Sequence, residues 1–244
     1  MLNICLVKYG THVQGFEINK LIQEFLTPIY EQLDTDFKVH IATDEPFEFF
    51  VDDERATDLI NFIQLSKQEL KDHEHWSKIF FFNPQYINAK ENDTTVIMDI
   101  DMQWQKDPTP VLTYPVELGQ MVSMDRWWRD NDMPLSGNLY RFNSHDFKFI
   151  YDNYMEDFKK HRKYYYDKGI VAYPNEGEQY FVYDQIKSKT PWFNLKLQPA
   201  EWCMKMHVED KERQKLYESR FKKVTGKDYH DHIFEATWTY KANK

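Results

Sequence analysis

The chain is 244 residues long, 41% apolar and 29% charged, and its 18 Phe, 16 Tyr and 7 Trp exclude disorder along its whole length. Its formal net charge of −9, with no long basic stretch, argues against nucleic acid as a partner, because phosphate contacts supply most of that affinity. No apolar run approaches the roughly 18 residues that span a bilayer, and two cysteines, Cys5 and Cys203, cannot build a disulfide framework or a four-ligand zinc site.

The first half alternates strands and helices. Met1–Lys8 is too short for a signal-peptide core, and Asn3 to Tyr9 is a short apolar run fit for a buried strand. Gln14 to Leu33 carries Phe16, Ile18, Leu21, Ile22, Phe25, Ile29 and Leu33 at near-helical spacing, with Pro28 as a kink or break. Phe37 to Thr43 predicts a second strand, closed by Asp44-Glu45-Pro46. Glu54 to Phe82 is mostly helical in pattern, in two or three pieces, and Thr94 to Met98 is a third strand. The β-α-β-α-β order implies a mostly parallel sheet flanked by helices. Beyond it, the pattern predicts strands at 121–124, 137–142, 202–207 and 233–240 and helices at 147–160, 176–187 and 209–224. With no repeat and no low-complexity linker, residues 1–244 read as one α/β domain with a mixed C-terminal half.

Seven glycines and no G-x-G-x-x-G after the first strand argue against a dinucleotide fold, and no P-loop, G-x-S-x-G or H-E-x-x-H is present. The informative segment is Thr94-Thr-Val-Ile-Met-Asp-Ile-Asp101. Residues i and i+2 of a strand share a side, so Asp99 and Asp101 can face one ligand. Two close carboxylates repel, and a divalent cation with oxygen preference, Mn²⁺ or Mg²⁺, relieves that cost. The plain alternative is a turn after a strand. Of the chemistries that use such a pair, a haloacid-dehalogenase-like phosphatase wants Thr or Val where Gln103 stands, and a nucleotidyltransferase wants an upstream Gly-Ser pair that is absent.

Several segments, in order, resemble the GT-A type of nucleotide-sugar glycosyltransferase, of the small glycogenin-like, bacterial or viral sort. They are Val7-Lys-Tyr-Gly-Thr11, Ile41-Ala-Thr-Asp44, the W-x-K of Trp76-Ser-Lys78, Val96-Ile-Met-Asp-Ile-Asp101, Leu135-Ser-Gly-Asn-Leu-Tyr140 and Glu178-Gln179. The match runs from about residue 3 to 190. It implies a GT-A-like fold with a nucleotide-binding half to about residue 101 and an acceptor half from about 102 to 244. It implies a metal-dependent, hexosyltransferase-like enzyme that moves sugar from a nucleoside-diphosphate sugar, a UDP-sugar first, to a carbohydrate or other hydroxyl acceptor. The glycogenin-like character tilts the expectation to retention, and the absence of an anchor to a cytoplasmic bacterial enzyme or one in a virus-infected host cell. A non-catalytic, degenerate transferase is the alternative from another class.

The resemblance assigns Tyr9 and Thr11 to the base and ribose, Asp44 to a hydrogen bond with either, Lys78 to the diphosphate or sugar, Asp99 and Asp101 to the metal, and Ser136 and Gly137 to the acceptor side. Glu178 and Gln179 stand nearest the reaction centre, although Asn175 as N-cap with Glu178 at N3 also fits a capping box. The tail departs from the family's His-x-x-Gly-x-x-Lys, so the third metal ligand is open between His207, His232 and Glu235, with Lys241 a phosphate contact or a solvated end. Trp127-Trp128 reads as an acceptor platform or as core, Tyr164-Tyr165-Tyr166 has the same two readings, and Asp184 is structural.

Overall fold

The computed structural model describes residues 1–8, 12–13, 16–44, 59–100, 102–129, 133–171, 177–206, 210–228 and 232–237, with backbone alone for 12–13, 16–22, 206 and 234–237. In chain order the strands are β1 (Leu2–Lys8), β2 (His12–Val13), β3 (Phe16–Glu17), β4 (Phe37–Thr43), β5 (Ile60–Gln64), β6 (Thr94–Met98), β7 (Met102–Trp104), β8 (Gln120–Asp125), β9 (Leu135–Asn143), β10 (Asn194–Leu197), β11 (Cys203–Met206) and β12 (Phe234–Thr237). The α-helices are α1 (Ile18–Gln32), α2 (Lys67–His73), α3 (Thr109–Leu112), α4 (Lys148–Glu156), α5 (Phe158–Asp167), α6 (Glu178–Ser188) and α7 (Lys211–Thr225), and Glu74–Phe82 is a 3₁₀ segment. None of the described helices is long and apolar enough to cross a membrane.

Seven strands form the main sheet in the order β10-β8-β9-β6-β1-β4-β5. Only β9 runs antiparallel to its neighbours. Strands buried on both faces read as continuous apolar runs, which is why β1, β4 and β6 stand out in the sequence. Leu2, Ile4 and Leu6 face one core with Val39, Val96 and Met98, covered by α1 and α7 through Phe25, Ile29 and Phe221. Cys5, Ala42 and Ile97 face the other, covered by Trp76, Phe81, Phe147, Tyr154 and Phe181. Cys5 and Cys203 are both buried and free. Burial pushes the Cys5 thiol pKa well up, which makes it inert.

The expected helix over 54–82 resolves differently. Ser66 is an N-cap: its hydroxyl accepts from the Glu69 N–H at 3.1 Å, and Glu69 accepts from the Ser66 N–H at 2.8 Å. A helix that starts there cannot extend upstream, and 60–64 instead pairs with β4 as the edge strand β5. Ile60 and Phe62 pack on one core and Ile63 on the other, a two-residue alternation that the apolar-rich stretch hides. Pro28 lies inside a continuous α1. The helix expected at 147–160 breaks at Asp157, which caps α5 by accepting from the Lys160 N–H. β7 and β10 had no counterpart in the sequence reading.

A polar line crosses three parallel strands inside the second core. His40 Nε2 faces Asn3 Oδ1 at 3.0 Å, and Asn61 Nδ2 donates to His40 Nδ1 at 3.1 Å. Burial, with Lys38 adding to it, holds the His40 pKa down at about 4. The unfolded chain therefore takes up the proton more readily, and stability is lost as pH falls from about 6.5 to about 4. Between pH 7 and 5 this single group accounts for a loss of about 2 kcal/mol. Urea unfolding at both values is expected to show that much less acid loss in His40→Gln than in the wild type; equal losses would rule out a neutral, buried His40.

Candidate active site

The parallel strands β1, β4 and β6 end on one edge of the sheet, where open α/β sheets bind their ligands. At that edge Lys8 is the last residue of β1 and Asp44 follows β4, with Nζ 3.8 Å from Oδ1, the lysine side chain 6% exposed. The Asp44 carbonyl also accepts from Gln64 Nε2. Asp44 is thus held beside a buried cation at the strand ends. Tyr9, Thr11 and Asp101 lie outside the described residues, as do Asn175, His207 and Lys241.

Asp99 follows β6 and meets β9 across the antiparallel register, its N–H donating to the Asn138 carbonyl at 3.2 Å. One carboxylate oxygen accepts from Asn138 Nδ2 at 2.9 Å, and the other is paired with Lys78 Nζ. The Asn138 amide is oriented in turn by Ser136, whose hydroxyl donates to Asn138 Oδ1 at 2.8 Å. Ser136 is buried, and Ser123 Oγ donates to its carbonyl. The structure therefore places Ser136 behind Asn138, where it fixes the side chain that fixes Asp99.

Lys78 comes from the 3₁₀ segment, anchored by Trp76. That indole is fully buried, stacked on Tyr154 at 5.4 Å and tilted against Phe181 at 5.7 Å. The W-x-K spacing thus sends the tryptophan into the core and the lysine to the strand edge. Lys78 Nζ also donates to the Gly137 carbonyl at 3.1 Å and lies 3.8 Å from Glu178 Oε1.

Glu178 is the first residue of α6. The residue before it, Gly177, has φ +106° and provides no side-chain cap, so the expected capping box is not formed and Glu178 is not at N3. A Cβ at Gly177 would lie 3.3 Å from Tyr165 Cβ and 3.5 Å from the Trp76 ring, which makes glycine the fitting residue on both counts. Glu178 is instead turned inward, 8% exposed, and accepts from the Tyr140 hydroxyl at 2.8 Å. Burial raises its pKa above the usual carboxyl range; Lys78 opposes this, Asp99 adds to it, and the Tyr140 hydrogen bond opposes it. Tyr140 is itself held protonated, first by burial and then by the Glu178 charge. Beside it, Gln179 Oε1 accepts from the Gly137 N–H at 3.0 Å. Gly137 is where these groups converge, since a Cβ there would meet Glu178 Oε1 at 3.0 Å, Gln179 Oε1 at 3.2 Å and the Tyr140 hydroxyl at 3.3 Å.

The structure thus joins Lys78, Asp99, Gly137, Glu178 and Gln179 from four separated segments, and adds Asn138 and Tyr140, which the sequence reading did not single out. The available signal for Tyr140 was a phenol inside an apolar strand, which needs a partner for its hydroxyl. The acceptor-platform reading of Trp127 and Trp128 is corrected. Both are buried, Trp127 donates to the Cys203 carbonyl at 3.0 Å, and its ring packs on Phe221. Of the three tyrosines, Tyr165 is buried and donates to Asp184, which is structural as expected, while Tyr164 and Tyr166 are exposed.

The C-terminal segment runs beside the carboxylate motif. β12 lies between β11 and β7, antiparallel to β7, with Phe234 opposite Trp104 and Ala236 opposite Met102. Its direction leads from Gln105, whose N–H bonds the Ile233 carbonyl, toward Met102. His232 therefore sits at the far end of this small sheet and is buried there. No group of three or more His, Cys, Asp or Glu poised for a metal occurs among the described residues.

No protein-family model matches the sequence, and no curated protein does. Solved structures do match the fold. The galactosyltransferase LgtC in complex with donor and acceptor sugar analogues superposes with a TM-score of 0.64 at 11% identity, over 96% of this chain and 86% of that one. An active-site glutamine-to-glutamate mutant of LgtC gives 0.59 at 9% identity over the same shares. The apo form of the glycosyltransferase GlyE from Streptococcus pneumoniae TIGR4 gives 0.59 at 7% identity, over 99% of this chain, which spans 55% of GlyE. At these identities the likeness is one of fold, and that fold is the GT-A type of the nucleotide-sugar glycosyltransferases.

Proposed function

We propose that the protein transfers a sugar from a nucleoside-diphosphate sugar, a UDP-sugar first, to a hydroxyl of a carbohydrate or other acceptor, with residues 1–244 acting as one domain. The observation that carries this reading is the cluster of Lys78, Asp99, Gly137, Glu178 and Gln179 at the C-terminal strand edge of a GT-A sheet. The phosphatase alternative needs a different fold and loses its ground. In support, a glutamine is the residue altered in the LgtC active-site mutant, and Gln179 belongs to the Glu178-Gln179 segment that resembles the GT-A type.

The donor chemistry fits a divalent cation. Asp99 supplies hard oxygen ligands, its side chain is 25% exposed, and Asn138 holds it in one orientation. Asp99 and Asp101 would hold Mn²⁺ or Mg²⁺, and of the candidate third ligands on the C-terminal segment Glu235 lies nearer than His232 to the Met102 end of β7. When bound, the ion neutralises charge on the departing nucleoside diphosphate. Lys78 adds a second positive charge at the same edge.

In the reaction the bond between the anomeric carbon and the phosphate oxygen breaks, with its electron pair going to the phosphate. A bond from the acceptor oxygen forms, and the acceptor's proton passes to the departing phosphate. Glu178 does not serve as the base for that proton. It is buried, holds the Tyr140 hydrogen bond and faces Lys78, an arrangement that fixes a charge rather than moving one. This favours retention.

Thermal shift with UDP, GDP, CDP and dTDP, each with Mn²⁺ or EDTA, tests the reading. Ligands that bind only the native state raise its stability by about 2.7 kcal/mol at a hundred times Kd, several degrees for a chain of this size. One nucleotide is expected to give a Mn²⁺-dependent rise that Asp101→Ala abolishes. The absence of a shift with every nucleotide would sink the transferase, and a shift without any sugar transfer would leave a non-catalytic binding protein.

A further inference from the structure

Gln179 has one end committed. Its Oε1 accepts from the Gly137 N–H at 3.0 Å, and a backbone N–H is a donor in every state of the protein. The atom facing it must be the carbonyl oxygen, since the flipped amide would set NH₂ against N–H. The absence of a side chain at Gly137 leaves room for this, with a Cβ there falling 3.2 Å from the same oxygen. The other end, Nε2, carries two donors and makes no hydrogen bond among the described residues. Gln179 is half-buried rather than sealed in the core.

We propose that Gln179 acts in sugar transfer as a hydrogen-bond donor, its Nε2 giving an N–H to an oxygen of the reacting sugars, and that its carbonyl takes no part at the anomeric carbon. The inference rests on the transferase reading and narrows it. An N–H bears partial positive charge and repels the oxocarbenium-like anomeric centre, so its partner is an oxygen lone pair, that of a sugar hydroxyl next to the reaction centre. A fixed donor of this kind also selects. A substrate lacking that hydroxyl oxygen leaves the N–H unpaired and is turned over poorly.

Two measurements test this. The first needs no activity: amide hydrogen exchange in the wild type and in Gln179→Ala. If the carbonyl is locked, Gly137 exchanges at least about tenfold faster in the variant, while Leu139 and Tyr140, paired with β6, do not change. Unchanged exchange at Gly137 would overturn the lock.

The second is the pH profile of Gln179→Glu. One carboxylate oxygen still takes the Gly137 N–H, and the other replaces Nε2. Ionised, it can only accept; protonated, it donates. At pH 7.5 the variant is expected to transfer sugar about 100-fold more slowly than the wild type, the usual cost of losing one such donor. The ratio of variant to wild type should recover about tenfold by pH 5. A variant that keeps its rate at pH 7.5, or a ratio that is flat or falls on acidification, would mean that the carbonyl end faces the substrate and would overturn the proposal. A wild type that transfers no sugar from any nucleoside-diphosphate donor would instead overturn the transferase reading beneath it.

Discussion

Lys78→Met is expected to cost about 3 kcal/mol of stability at pH 8 and to lower kcat by about 100-fold or more. Lys78 is the cation shared by Asp99, Glu178 and the Gly137 carbonyl, and its side chain is only 12% exposed. Methionine keeps the length of the stem and most of its packing, so the loss reports charge and hydrogen bonding rather than a cavity. Without the lysine, two carboxylates face each other with less compensation. The Glu178 pKa, already raised by burial, loses the Lys78 attraction that opposes the rise and moves further up. A carboxyl whose pKa is raised in the fold destabilises the native state above that pKa, and the penalty fades as the group takes up a proton. The difference between variant and wild type should therefore shrink as pH falls from 8 toward 5. The acid loss due to His40 is common to both proteins and cancels in that difference. Urea unfolding across this range checks the stability, and steady-state transfer checks the rate. A difference that does not depend on pH would show that Glu178 is not coupled to Lys78.

The fold was legible where physical constraints leave marks on neighbouring residues. β4 and β6 match their expected ends, because buried parallel strands are short apolar runs bounded by polar residues. Asp99 was singled out by a carboxylate pair after a strand, whereas Lys78, Glu178 and Gln179 were expected only because Trp76-Ser-Lys78 and Glu178-Gln179 resemble segments of the GT-A type. Their convergence was not legible, since it depends on the β6–β9 register and on the packing of Trp76 between α4 and α6. Asn138 and Tyr140 were missed for the same reason: each acts on a residue about 40 positions away in sequence. The misread strand β5 and the misplaced cap at Asn175 share a cause. Both depend on whether a short polar side chain reaches a backbone N–H, and Ser66 does so whereas Glu178 turns toward Tyr140. The tryptophan pair was ambiguous because a large aromatic side chain looks the same in sequence whether it meets a sugar or a core.

Gly137→Ala is expected to separate activity from stability more cleanly than any other single change in the site. The added methyl would sit 3.0 Å from Glu178 Oε1, 3.2 Å from Gln179 Oε1 and 3.3 Å from the Tyr140 hydroxyl. These separations are tighter than ordinary contacts, so neighbours must shift by a few tenths of an ångström, and the neighbours are the groups of the site. The Glu178 and Tyr140 atoms belong to one buried hydrogen bond that resists displacement, whereas Gln179 is half-buried and yields more easily. Its carbonyl is pushed off the Gly137 N–H, and its donor end loses its fixed position. Overpacking of this kind costs about 1–3 kcal/mol, roughly 2–12 °C in Tm for a chain of this length. The catalytic cost is larger, because small misplacements of positioned groups cost about 100-fold in rate. The loss should fall on kcat, and nucleotide binding measured by thermal shift should survive, since the strand ends at Lys8 and Asp44 lie on other elements. Gly137→Ala with wild-type kcat would show that Glu178 and Gln179 tolerate movement and that their arrangement around Gly137 is not what the reaction requires.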